Sequence, residues 1–180
     1  MNNREKTLWI TRTAVFLALL VVMQAVTAPL GNTIVTGTLV NALLAVSVMT
    51  CGVMSGATVA VVSPILAKLV GIGPLWALIP FIALGNIVFV LAWHFLGRRT
   101  GGNPYASGAT AVAAAAAAKF LVLYLGIVRV AVPVLLGLPE PQASVVSHMF
   151  SLPQLVTALL GGLVALPVVR VLRKALSGQA

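Results

Sequence analysis

Two cations set the chemical question. Lys119 and Arg129 lie within Gly108 to Val134, an apolar stretch long enough to cross a bilayer. A cation at the centre of a membrane helix costs at least about 2.5–3.5 kcal/mol on insertion scales. The sequence has two acidic residues, Glu5 and Glu140, against eleven basic ones. Uncompensated positive charge in a membrane helix points to a site for something negative. Lys119 and Arg129 are ten residues apart, about 15 Å along a helix axis and about 80° around it. Both fit the border of one cavity, although one carboxylate does not bridge them. Lys119 lies deeper, where snorkelling explains it less well. Arg129 and Lys68 lie near enough to an interface for the bland alternative, buried stems with hydrated heads.

Other chemistry is missing. No glycine loop ending in lysine marks an ATP site, and there is no HExxH and no Cys/His cluster. The two glutamates fall on opposite sides of the chain's expected layout, so no acid–base pair forms. The expectation is a protein that is not an enzyme and has no metal and no cofactor of its own. Proton-driven transport also lacks its usual intramembrane acid. Cys51 is the single cysteine; alone, it reads as a small packing residue.

The elements that position these groups are apolar helices. The chain is 61% hydrophobic and 7% charged, where ordinary proteins carry roughly 25% charged residues. That implies an all-α integral membrane protein, one transmembrane domain over residues 1–180. Six spans are expected, at about 9–28, 34–49, 53–70, 75–96, 108–134 and 150–172. The net charge of +9 does not point to nucleic acid. Eight basic residues sit in three flanks: Arg4, Lys6 and Arg12; Arg98 and Arg99; Arg170, Arg173 and Lys174. Such flanks stay cytoplasmic, and six crossings put all three there, with both termini.

This orientation gathers polar residues in the outer half. Gln24 lies in the outer half of span 1; Thr36, Thr38 and Asn41 make the outer half of span 2 polar. His148 and Gln154 flank the start of span 6. Asn86 and Lys119 both lie near mid-depth. Asn41 and Asn86 read first as helix–helix hydrogen bonds and second as ligand contacts. His148 reads as a loop or interface histidine before a metal ligand, since the other histidine, His94, falls on the inner side. Glu140, in the outer loop 137–148, is a candidate partner for Arg129 or Lys68. Several helices offering polar groups at one depth describe a cavity open to the outside. Lys119→Ala and Arg129→Ala are both expected to weaken binding there. Ser63-Pro64 predicts a kink in span 3. Gly52 and Gly56 suggest close helix packing, and Gly161-Gly162 a flexible point in span 6.

In size, six spans, cytoplasmic ends and polar outer half, the chain resembles an S component of an energy-coupling factor (ECF) transporter, the substrate-binding membrane subunit. Ala14-Val-Phe-Leu-Ala18 matches the AxxxA face by which that family docks its coupling subunit. The resemblance implies a multi-pass protein of a prokaryotic cell membrane. It implies capture of a vitamin or vitamin precursor in the outer half, under the loop 29–33 and near the later helices, which carry Asn86, Lys119, Arg129 and Gln154; the clustering of polar residues adds Lys68, Asn41, Gln24 and His148 as candidate contacts. It implies partners too: a transmembrane coupling subunit, docking at Ala14 and Ala18, and two ATPases that use the ATP. The absence of intramembrane acids adds that the ligand is anionic. The other readings are an autonomous small carrier or channel, and a scaffold subunit without a ligand.

Overall fold

Two asparagines start the first two helices. Asn2 caps α1 (Asn3–Thr27): its side chain accepts from the Glu5 N–H, and Glu5 accepts from the Asn2 N–H, both at 2.9 Å. This satisfies two N–H groups that a helix start leaves bare. Asn32 caps α2 (Thr33–Cys51) by accepting from the N–H groups of Ile34 and Val35. Between them Gly31 takes φ 64°, a left-handed conformation that costs glycine little. The computed structural model describes residues 2–97 and 104–177. The expected cytoplasmic loop with Arg98 and Arg99 lies outside the described residues, apart from Gly97 and Pro104 at its ends.

The remaining helices are α3 (Val53–Leu69), α4 (Ile79–Leu96), α5 (Pro104–Leu123), α6 (Gln142–Met149) and α7 (Leu152–Ser177). No strand occurs among the described residues. Five helical stretches, built on α1, α2, α4, α5 and α7, are long and apolar enough to cross a membrane. α3 is apolar with 17 residues, at the short limit for a span. The protein is a multi-pass, all-helical membrane protein.

Three elements depart from the sequence reading. The fifth span starts at Pro104 and passes beyond Leu123 in π-helical register, Tyr124–Leu136, with Pro133 inside. The expected outer loop contains α6. Its flanking prolines suggest irregular chain, but they precede the first turn, where a missing N–H goes unnoticed. The Glu140 carboxylate accepts from the Ser144 N–H at 3.3 Å and closes that turn. The third departure is Gly161, which is a packing glycine rather than a flexible point. A Cβ there would stand 2.6 Å from the Asn41 Cβ and 2.7 Å from the Thr38 carbonyl oxygen. Gly56 has the close-packing role expected of it: its Cβ would stand 2.7 Å from the Val48 Cβ.

These small residues fix the helix directions. α2 and α7 run parallel: Gly37 abuts Thr157, Gly161 abuts Asn41, and the Met49 carbonyl accepts from Arg173. α5 runs antiparallel to both neighbours. Gly85 and Gly126 join it and its π-helical extension to α4 through Leu123 and Phe81, and Gly108 and Gly162 join it to α7 through Leu166 and Val112. In the alanine run, Ala115 and Ala116 are fully buried while Ala113 and Ala114 face outward. One main apolar cluster, around Leu44, Val59, Phe89, Trp93 and Ala115, fills the half nearer the basic termini. A smaller one, Leu78, Leu123, Ile127 and Phe150 among its members, sits at the opposite end. The polar residues lie between.

Candidate binding site

Lys119 is 3% exposed and reaches the middle of the bundle from α5. Its ammonium donates to Asn41 Oδ1 at 2.6 Å and to Asn86 Oδ1 at 2.7 Å. The Phe89 ring centroid lies 5.5 Å from Nζ, close enough for a cation–π attraction. Both asparagines are held in turn. Asn41 Nδ2 donates to Thr157 Oγ1 on α7 at 3.4 Å, and Asn86 Nδ2 to the Ala60 carbonyl on α3 at 3.3 Å. With their amide nitrogens tethered, both oxygens must face the lysine. Of the two roles weighed for these asparagines, the bonds fill the first, helix–helix hydrogen bonding. Each ties one helix to another, and each presents an oxygen to Lys119.

This network forms the floor of a cavity of about 300 Å³. Gln24, Asn32 and Thr36 line it from the α1–α2 end, Ile72 and Pro74 from the α3–α4 connection, and Phe150 and Gln154 from the start of α7. Among its described lining residues Lys119 is the one charged side chain. An ammonium has three N–H donors, and Lys119 directs two to asparagine oxygens. The third is available at the cavity. A second unmet group is the Gln24 side-chain oxygen, buried without a hydrogen-bond partner. Gln154 is engaged, its amide nitrogen donating to the Met149 carbonyl at 3.2 Å.

The eight residues singled out from sequence divide. Lys119, Asn41, Asn86, Gln24 and Gln154 line one cavity. Arg129, Lys68 and His148 are not among its lining residues. Arg129 is exposed, with its guanidinium 5.4 Å from the Tyr124 ring centroid. Lys68 is half-buried at the end of α3, and His148 is exposed on α6. No ion pair joins Glu140 to Arg129 or Lys68 among the described residues; its carboxylate caps α6. Ala14 and Ala18 are exposed on α1.

Sequence reasoning missed Phe89 and Thr157. A signal for both existed: Phe89 follows Asn86 by three residues and Thr157 follows Gln154 by three, so each pair shares a helix face. Among the described residues no three His, Cys, Asp or Glu side chains gather to hold a metal ion. Comparison with family models, with characterised proteins and with solved structures gives no match for this chain.

Proposed function

We propose that the protein is the substrate-binding membrane subunit of an ECF-type transporter, capturing a small anion from outside a prokaryotic cell. The observation that carries this reading is the buried Lys119 ammonium, held by two tethered asparagines at the floor of a cavity without acidic residues. A purely structural cation would be better replaced by an apolar side chain, since burying charge seldom adds net stability. The cavity opens at the end opposite Arg4, Lys6, Arg170 and Lys174. Their retention on the cytoplasmic side makes that end external.

A partner supplies the energy. The chain has no ATP-binding loop of its own, so two ATPases and a coupling subunit drive release inward. α1 suits the docking role: it is the least buried of the long apolar helices, at 17% against 33–44% for the others. Its exposed Ala14 and Ala18 let a partner helix approach closely. The ligand class is a vitamin or vitamin precursor bearing an anionic group.

Native mass spectrometry on gently purified protein tests this, with a binding titration against a panel of carboxylated vitamins. A released or bound anion, lost in Lys119→Met, is the expected result. Failure of extracts and of the whole panel to bind would sink the capture reading and leave a scaffold. Substrate movement into vesicles by the chain alone would make it an autonomous carrier.

A further inference from the structure

Resting on that reading of the cavity, we infer that the ligand is a monoanion with an apolar body and an uncharged hydrogen-bond donor at its far end. Two unmet polar atoms, on opposite walls of one cavity, define it.

The first wall is α5. Lys119 has one N–H left after its bonds to Asn41 and Asn86, so it offers one donor and one positive charge. No second cation lines the cavity among the described residues. A dicarboxylate or a phosphate dianion would bring a second negative charge into an apolar surround with nothing to balance it, which is strongly unfavourable. One carboxylate matches the site's charge and its donor count.

The second wall is α1. It packs on α2 and α3, while α5 packs on α4 and α7, so Gln24 faces the cavity from the side away from Lys119. The Gln24 side-chain oxygen is buried and unpartnered. A buried acceptor left unmet is unfavourable, and a ligand O–H or N–H would satisfy it. Among the neighbouring donors the Thr36 hydroxyl is already engaged, donating to Thr27 Oγ1 at 2.9 Å. Between the walls the lining is apolar, with Val40, Ile82, Leu123 and Phe150. The volume of about 300 Å³ equals roughly ten waters, which suits a compact molecule on the order of 10–15 non-hydrogen atoms.

Four probes of one length test this in lipid nanodiscs: 6-hydroxyhexanoate, hexanoate, methyl 6-hydroxyhexanoate and hexanedioate. Affinity is read by calorimetry at millimolar concentration, on wild type, Lys119→Met and Gln24→Leu. Both substitutions place an apolar side chain of similar length in a membrane helix, and a folded-state check by size exclusion accompanies each. The expected order puts 6-hydroxyhexanoate first, at least tenfold above the methyl ester and hexanedioate, and severalfold above hexanoate. Gln24→Leu should erase the preference over hexanoate and leave hexanoate itself unchanged. Lys119→Met should erase the preference over the ester. If hexanedioate binds as well as 6-hydroxyhexanoate, or Gln24→Leu leaves the hydroxyl preference intact, the inference is wrong and capture of an anion still stands. Binding of none of the four also overturns it. The carboxylated vitamin panel then decides separately whether capture itself survives.

Discussion

Gly161→Ala should loosen the bundle and the site together. A Cβ at this position would stand 2.6 Å from the Asn41 Cβ, 2.7 Å from the Thr38 carbonyl oxygen and 2.9 Å from the Ala42 nitrogen. Non-bonded carbons rest about 3.5–4.0 Å apart, so α2 and α7 must separate by about 1 Å. Two of the three obstructing atoms are backbone, and no rotamer change removes them. Overpacking of this kind costs about 1–3 kcal/mol. For a chain of this size the melting midpoint falls about 2–4 °C per kcal/mol, which gives a loss of roughly 2–12 °C. The same movement draws Asn41 away from Lys119. Their 2.6 Å hydrogen bond would lengthen to about 3.6 Å, beyond hydrogen-bonding distance. Thermal unfolding in detergent, followed by labelling of the single cysteine with a thiol-reactive dye, measures the first effect. Gly108→Ala is the matched control, because its Cβ would meet only the tip of the Leu166 side chain, at 2.9 Å. That tip can swing aside, and alanine favours the helix by up to about 1 kcal/mol. The control midpoint should hold or rise. Equal midpoints for the two variants would refute the argument that backbone contact at Gly161 sets the spacing of α2 and α7.

Asn86→Leu should destabilise the protein by about 1.5–3 kcal/mol, the worth of a hydrogen bond to a charged group, seen as a lower melting midpoint; Lys119→Met in the same background should restore part of the loss, since no buried cation then lacks its partner. Arg129→Ala should leave ligand affinity within twofold of wild type by calorimetry and lower stability by no more than about 1 kcal/mol, because Arg129 is exposed on Tyr124 and does not line the cavity. Cys51, half-buried at the α2–α3 turn, should resist a membrane-impermeant maleimide added to intact cells, whereas a cysteine introduced at the exposed Ser144 in a Cys51→Ser background should react; the opposite pattern would invert the orientation. Thr13→Val should lower the midpoint by a degree or more, through loss of the 2.9 Å bond from Thr13 to Ser55 that ties α1 to α3.

The Arg129 prediction shows where sequence spacing falls short. Lys119 and Arg129 appear equivalent along the chain, two cations in one apolar stretch. A straight α-helix leaves both available to one cavity. The π-helical register from Tyr124 onward changes the angle per residue, and Arg129 ends exposed while Lys119 is buried. Glu140 is a similar case. Its charge suggested a partner for a distant cation, but the short α6 takes it as a local cap, a bond that depends on a helix hidden among prolines.

Composition by itself determined the class of protein. With 61% hydrophobic residues and 7% charged ones, the chain must hide its backbone polar groups in helices, since a bilayer offers no water to satisfy them. The apolar runs set where five of those helices fall, and the missing acids set the sign of the unpaired charge. Only the tertiary structure decided which polar residues share a site. Asn41, Asn86 and Lys119 are far apart in sequence and meet because glycines at 37, 85 and 161 let α2, α4, α5 and α7 come close. A periodicity shows which face of a helix is polar, but the partner of that face follows from how small residues let helices pack.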